Sequence, residues 1–413
     1  MKKGLLLSVV ASGLIYAGGD IAPVAPVQQQ PAAAPAACDF YGSLGLRYDM
    51  NQIKVNGTTI QNGDFGDKES NTFFLALDLG VEKQLGYGFG LGAEVAAFRT
   101  SHDIALNPSF TERAELSQLY LTYKVGNTAF KFGRQALPKS LSPWAWTDTT
   151  LGTKDLTFEG LVVVNTDLPD TTLVGAWVSR AVNGATRLKV NGKDNKGLFA
   201  IAAQYTGIAN TTLRGSAYFV TKDPAGNTKY SIWASAETKV SNVNLGLQAA
   251  YAKTKGSKAT TGVAAYAGTT YGALDGKLTV AYIKNGATSL VGAGSGFGTS
   301  GFWGNVGYAP VSMGGDITTD NNGAPETSAK QTIVKLDLGY KLPNNYGRIF
   351  GGVAYDKVTG TSVWDKGLAA RVGYSFKVKG VNAKVEYRYE KLDAANGNDL
   401  KINRVRVEGI YKF

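Results

Sequence analysis

Few side chains in this sequence are of types that carry covalent chemistry. There is one histidine, His102, beside Asp103, and one cysteine, Cys38. A histidine-activated nucleophile needs a serine or cysteine within hydrogen-bond reach of the ring. Ser101 and Ser109 are near His102 in sequence, but neither stands in a recognisable setting, so His102 reads as a loop residue. A metal centre of His and Cys has no support. Asp316, Asp320, Asn321, Asn322 and Glu326 offer oxygen ligands in one stretch, but their spacing is not that of an EF-hand loop. A solvated loop is the reading kept. No enzyme, cofactor or metal is expected.

The chemistry that is present is charge placed by alternation. The last thirteen residues, Lys401 to Phe413, put Val405, Val407, Tyr411 and Phe413 on one parity and Arg404, Arg406, Glu408 and Lys412 on the other. Successive side chains of a strand point to opposite faces, so one face is apolar and aromatic and the other charged. The same pattern recurs through the chain. Candidate inward charges are Arg47, Lys131, Arg180, Arg214, Lys335, Arg371, Arg388, Arg404 and Arg406, against Asp78, Glu94, Asp337, Glu386 and Glu408. That is nine basic residues against five acidic, which predicts a weak preference for anions if the charges line a narrow, water-filled path.

Composition agrees with such a wall. The chain has 413 residues, 52 glycines and 21 tyrosines, yet no apolar run long enough for a helix to span a bilayer. Its formal charge is +11, spread along the chain rather than clustered, which argues against nucleic acid as a partner. With one cysteine no internal disulfide forms, and Pro35-Ala36-Ala37 lacks the aliphatic residue that precedes a lipidated cysteine.

The elements that must position these charges follow from the period. Residues 1–17, with Lys2, Lys3 and a short apolar stretch, read as a signal peptide. Residues 18–39 are a Pro/Ala-rich periplasmic tether, and 40–413 a transmembrane barrel. Candidate strands are 40–51, 72–83, 88–100, 114–124, 127–135, 156–165, 170–180, 196–206, 210–220, 228–238, 242–253, 261–272, 275–285, 330–341, 347–357, 366–377, 381–391 and 400–413. Short breaks such as Gly126-Asn127 and Pro343-Asn344-Asn345 alternate with longer ones. Outer-membrane barrels put short turns on the periplasmic side and long loops outside, with an even strand number. Eighteen strands fit, provided 302–309 stays within one long external loop; sixteen is the alternative. The fold class is all-β, a transmembrane antiparallel barrel. Tyr411 and Phe413 complete an aromatic end pattern expected to serve as an assembly signal, read by the barrel-assembly machinery.

The loop after the fifth strand carries Phe132-Gly133-Arg134-Gln135 and then Pro143-Trp144-Ala145-Trp146. Two tryptophans and two prolines suit a stiff loop folded inward, making Arg134, Lys139, Trp144, Trp146 and Asp148 candidate constriction residues. With Thr157-Phe158-Glu159-Gly160, Pro169-Asp170-Thr171-Thr172-Leu173 and the Phe413 end, these pieces resemble the OprD-like porins and the Campylobacter-type major outer-membrane porins. The Pro/Ala-rich tether resembles that of epsilonproteobacterial members. The resemblance implies an eighteen-strand, usually trimeric porin whose third and seventh external loops constrict the pore. Here those are 136–155 and 286–329. The expected function is an outer-membrane diffusion channel for small hydrophilic solutes and ions, in contact with outer-membrane lipid. A substrate-specific channel and a surface adhesin are the alternatives.

Overall fold

The computed structural model describes residues 38–413, except 68–69, 102–110, 138–146, 148, 152, 155, 184–185, 190–196, 222–227, 257, 286–329, 361–363 and 395–396. Eighteen strands form the wall. The first nine are β1 (Asp39–Val55), β2 (Asn71–Gly86), β3 (Phe89–Ser101), β4 (Thr111–Val125), β5 (Thr128–Gln135), β6 (Leu156–Asn165), β7 (Thr171–Asn183), β8 (Leu198–Tyr205) and β9 (Thr211–Val220). The rest are β10 (Lys229–Val240), β11 (Val243–Thr254), β12 (Thr260–Tyr271), β13 (Leu274–Lys284), β14 (Lys330–Lys341), β15 (Arg348–Thr359), β16 (Trp364–Val378), β17 (Val381–Ala394) and β18 (Asp399–Lys412). Each pairs antiparallel with the next, and β18 pairs back on β1 from Ser43↔Lys412 to Val55↔Leu400, closing the ring. Closure matters because a free strand edge in lipid leaves backbone groups without partners.

All eighteen expected strands are present, with ends within a few residues of those read from the sequence. Strand 330–341 has the expected bounds. Connections from even to odd strands span two to six residues; every connection longer than that follows an odd strand, though those after β11, β15 and β17 span only four or five. The two-residue turns use positive backbone φ where tight hairpins require it: Tyr87-Gly88 at 51° and 84°, Lys379-Gly380 at 45° and 88°. A short strand Thr58–Asn62 folds back antiparallel on the end of β1, and another, Thr186–Lys189, on the end of β7. The expected signal peptide, the expected tether as far as residue 37, His102, segment 302–309 and the oxygen-rich stretch around Asp316 lie outside the described residues, while Asp39, read as the end of the tether, opens β1.

The outward face is an apolar belt. Leu44, Leu46, Leu79, Leu91, Val95, Leu121, Ile201, Leu247, Val280, Leu338 and Val407 are all exposed. Aromatic side chains mark its edges. Phe89 and Tyr123 pack at 4.5 Å, and Tyr123 on Phe130 at 6.1 Å, beside the short turns. Such girdles flank the belt of membrane barrels.

The inward face is less uniformly polar than alternation alone suggests. Phe158, Val178, Leu198, Tyr218, Val220 and Trp233 form one buried apolar cluster against Leu137. Ile283, Ile333, Val358 and Leu392 belong to another. These positions face inward because their neighbours in sequence carry the exposed belt, as Phe199 does beside Leu198. Part of the interior is therefore packed rather than water-lined.

Phe413 closes the ring at the turn side. Its backbone exchanges hydrogen bonds with Gly42 at 2.9 and 3.1 Å, and its ring occupies the space a side chain at 42 would need. Besides completing the aromatic end pattern, the residue thus ties the last strand to the first. Deleting Phe413 is expected to cost about 1–2 kcal/mol from the lost bonds and packing. A lower temperature of conversion from the folded to the unfolded gel band measures it, and an unchanged temperature contradicts it.

Candidate functional site

The interior charges collect on β16, β17, β18 and β1. Arg371 pairs in register with Arg388, Arg388 with Arg404, and Arg404 with Asn51. Three arginines thus stand side by side across three adjacent strands. Like charges directly opposite one another destabilise a sheet, so local stability alone does not favour the row. Arg406 and Arg47 lie next to it. Carboxylates only partly compensate. Arg371 bridges Asp337 at 2.8 Å and Glu386 at 3.8 Å, and Arg388 also bonds Glu386. Arg406 grips Asp49 with two bonds of 2.7 and 2.9 Å, and Arg47 lies 3.4 Å from the same Asp49. Arg404 donates to the Asn51 amide oxygen at 2.6 Å. Four of these arginines stand within ion-pair distance of three carboxylates, Arg404 bonds a neutral amide instead, and Glu408 and the buried Glu390 add negative charge on the same inner face. Lys335 adds a further positive charge, 3.2 Å from Asp337.

The row continues at both ends. In the same register, Asp337 stands opposite Lys277 on β13 and Gly352 on β15, and Gly352 opposite Arg371. Because barrel strands tilt by roughly 35–45°, a register row climbs the wall as it goes round. On β17 and β18, Glu408 meets Lys384 at 3.4 Å. Further round, Arg214 bonds Glu237, which also accepts from the Tyr266 hydroxyl at 2.6 Å. Lys277 lies over the Tyr266 ring at 3.8 Å.

On the other side of β1, β2 and β3 hold part of the loop 136–155. Leu151 sits where a side chain at Gly45 would be, against the inner wall of β1. Lys154 bonds Glu94 and lies 3.8 Å from Asp78. The Glu94 carboxylate also accepts from Ser117 Oγ at 2.6 Å, Gln118 Nε2 at 2.9 Å and Tyr41 Oη at 3.0 Å. Four donors on one buried carboxylate make a latch for the end of the loop. Lys131 is buried on the inner wall, 3.8 Å over the Tyr120 ring.

Of the sequence-read inward charges, Arg47, Lys131, Arg214, Lys335, Arg371, Arg388, Arg404, Arg406, Asp78, Glu94, Asp337, Glu386 and Glu408 stand on the inner parity. Two basic residues do not. Arg134 pairs with Leu119, and Phe132 with Leu121, all on the outward side. Arg180 pairs with Glu159 after a bulge and also stands outward. Arg134, expected at the constriction, is thus on the outer wall. Lys139, Trp144, Trp146 and Asp148 lie outside the described residues. Sequence reasoning missed Asp49, Glu237 and Lys277, although Asp49 shares the parity of the assigned Arg47.

A closed antiparallel ring with an apolar outer belt and a charged interior defines a porin-type barrel. Solved structures share it. Pseudomonas aeruginosa OpdO superposes with a TM-score of 0.63 at 14% identity, over 91% of this chain and 97% of that one. Pseudomonas aeruginosa OpdL gives 0.63 at 14%, over 91% and 99%. OccK2 (OpdF) of the same organism, solved in complex with glucuronate, gives 0.61 at 13%, over 91% and 98%. The fold is that of the OprD-like porins. Compared with protein-family models and with curated proteins, the sequence matches none.

Proposed function

We propose that this chain is a bacterial outer-membrane channel for the passive diffusion of small hydrophilic solutes, with a preference for anions and for solutes bearing a carboxylate. The observation that carries it is the register row Arg371–Arg388–Arg404, whose positive charge neighbouring carboxylates offset only in part. An arginine fork matches the two oxygens of a carboxylate, and a tilted row offers successive stations along the wall. A relative in fold has been solved with glucuronate, a sugar acid, which fits the same chemistry. The latched loop 136–155 narrows the path beside the row, and Lys139, Trp144, Trp146 and Asp148 complete the constriction. A signal peptide at 1–17, a tether at 18–39, assembly through Tyr411 and Phe413, trimer formation and kinship with epsilonproteobacterial porins belong to the same reading.

Purified protein in a planar bilayer tests it. The expected result is stepwise conductance with a zero-current potential of the anion-selective sign across a salt gradient. Conductance with the cation-selective sign overturns the preference. A barrel that conducts nothing overturns the channel and favours an adhesin.

A further inference from the structure

Four strands that run toward the external, loop side carry the same three-residue pattern near their ends. It reads Tyr251-Ala252-Lys253 on β11, Tyr282-Ile283-Lys284 on β13, Tyr355-Asp356-Lys357 on β15 and Tyr389-Glu390-Lys391 on β17. β1, β3, β5, β7 and β9 run the same way and lack it. The middle residue faces inward, as the buried Ile283 and Asp356 show, so tyrosine and lysine both face out. Tyr282 and Tyr355 are exposed at the edge of the apolar belt. Lys253, Lys284 and Lys391 each stand ten residues beyond the turn-side start of their strand, at Val243, Leu274 and Val381. At about 3.3 Å per residue and a tilt near 40°, that is roughly 25 Å, the full height of such a belt. The tyrosines therefore form a loop-side girdle, and the lysines stand just above it, level with the headgroups of the outer leaflet.

The strands returning from the loop side double this charge. Lys284 stands directly opposite Lys330 on β14, Lys357 opposite Lys366 on β16, and Lys391 opposite Lys401 on β18. Like charges directly opposite one another destabilise a sheet, yet the arrangement recurs at three successive hairpins. Compensation within the chain is thin. Asp393 reaches Lys366 at 3.4 Å and Lys391 at 2.9 Å, and Asp399 reaches Lys401 at 3.0 Å. Among the described residues, no carboxylate stands within ion-pair distance of Lys253, Lys284, Lys330 or Lys357. Three of these are neighbours: Lys330 faces Lys284 and lies diagonally beside Lys357, which pairs with Thr332.

We propose that this arc binds phosphate monoesters of an outer-leaflet glycolipid, chiefly at Lys284, Lys330 and Lys357. Two facing ammonium groups match the charge of about −1.5 to −2 of a phosphate monoester and its acceptor oxygens, better than the single charge of a diester. The tyrosines and the apolar belt directly beneath receive acyl chains, which a free anion does not possess. A second copy of the chain offers no such match. A two-fold contact through the arc sets lysine against lysine. A contact with the opposite wall brings Glu112 and Glu159, which are already bonded to Arg99, Arg134 and Arg180 of their own chain. The proposal rests on the outer-membrane setting and not on the passage of solutes.

The test is native mass spectrometry of the detergent-purified full chain. The probes are diphosphorylated lipid A, the same lipid stripped of its phosphates, and phosphatidylglycerol as a diester. Wild type is expected to retain diphosphorylated lipid A about tenfold more strongly than either control. Lys284→Gln/Lys330→Gln is expected to weaken that retention about tenfold. Lys83→Gln, at an exposed outward lysine near the turn side of β2, leaves it unchanged. Without lipid, the double variant should convert to the unfolded gel band no lower in temperature than wild type, because repulsion between the strands is relieved. Added lipid A should raise the conversion temperature of wild type and not of the double variant, a difference that a purely structural role does not produce. Equal retention by wild type and the double variant overturns the proposal, and so does equal retention of lipid A with and without its phosphates. Equal retention of phosphatidylglycerol overturns the choice of a monoester. A change of oligomer mass in the double variant with lipid A unaffected also overturns the proposal and assigns the arc to a subunit contact. Bilayer conductance of the same samples separates any of these failures from failure of the channel reading.

Discussion

Replacing Glu94 by leucine is expected to destabilise the barrel by about 3–5 kcal/mol, because it strands a buried lysine without its partner. Glu94 is almost wholly buried and holds Lys154, Ser117, Gln118 and Tyr41 together. The same change releases the loop end, since Lys154 retains only Asp78 at 3.8 Å. Single-channel conductance should therefore rise while the unfolding midpoint in denaturant falls. Lys154→Met should act in the same direction by leaving two carboxylates close together. The double variant should recover part of the loss, because removing both charges leaves no uncompensated one. Single variants whose effects simply add would show that Glu94 and Lys154 do not act as a pair.

Neutralising the arginine row should have the largest effect on permeation. In Arg371→Gln/Arg388→Gln/Arg404→Gln, three positive charges leave adjacent strands of the inner wall. A charge about 6 Å from a passing ion is worth roughly 0.7 kcal/mol even at the dielectric constant of water. Salt at about 0.15 M screens over about 8 Å and reduces this, while acting on anions and cations alike. Three such changes shift the anion-to-cation permeability ratio by about tenfold or more, enough to carry a weak preference through zero. The zero-current potential should change sign, with conductance retained because the backbone ladder is intact. Glutamine also removes the like-charge repulsion between strands, so the variant should not melt below wild type by much. A zero-current potential equal to wild type removes the row from the account of selectivity.

The sequence by itself determined the wall. A period of two is a local property, set by which face each residue of an extended chain must present, so strand number, strand ends and most inward charges were legible before any contact was known. Short turns announced themselves as well, because positive φ calls for residues such as Gly380 at 88°. Even the outward place of Arg134 could be read, since Phe130, Phe132 and Arg134 share one parity, but its position at the base of a loop drew it to the pore. Arg180 could not be read that way. The register slips between Val178 and Arg180, so one extra residue turns the following side chains to the other face. A bulge is set by how two strands fit together, and no single strand's pattern contains it. The same holds for the latch, where Tyr41, Glu94, Ser117 and Lys154 converge from distant parts of the chain. It holds too for the arginine row, because register between β16, β17 and β18 decides whether their charges align. Alternation tells a side chain which way to face; only closure of the barrel decides which side chains it faces there.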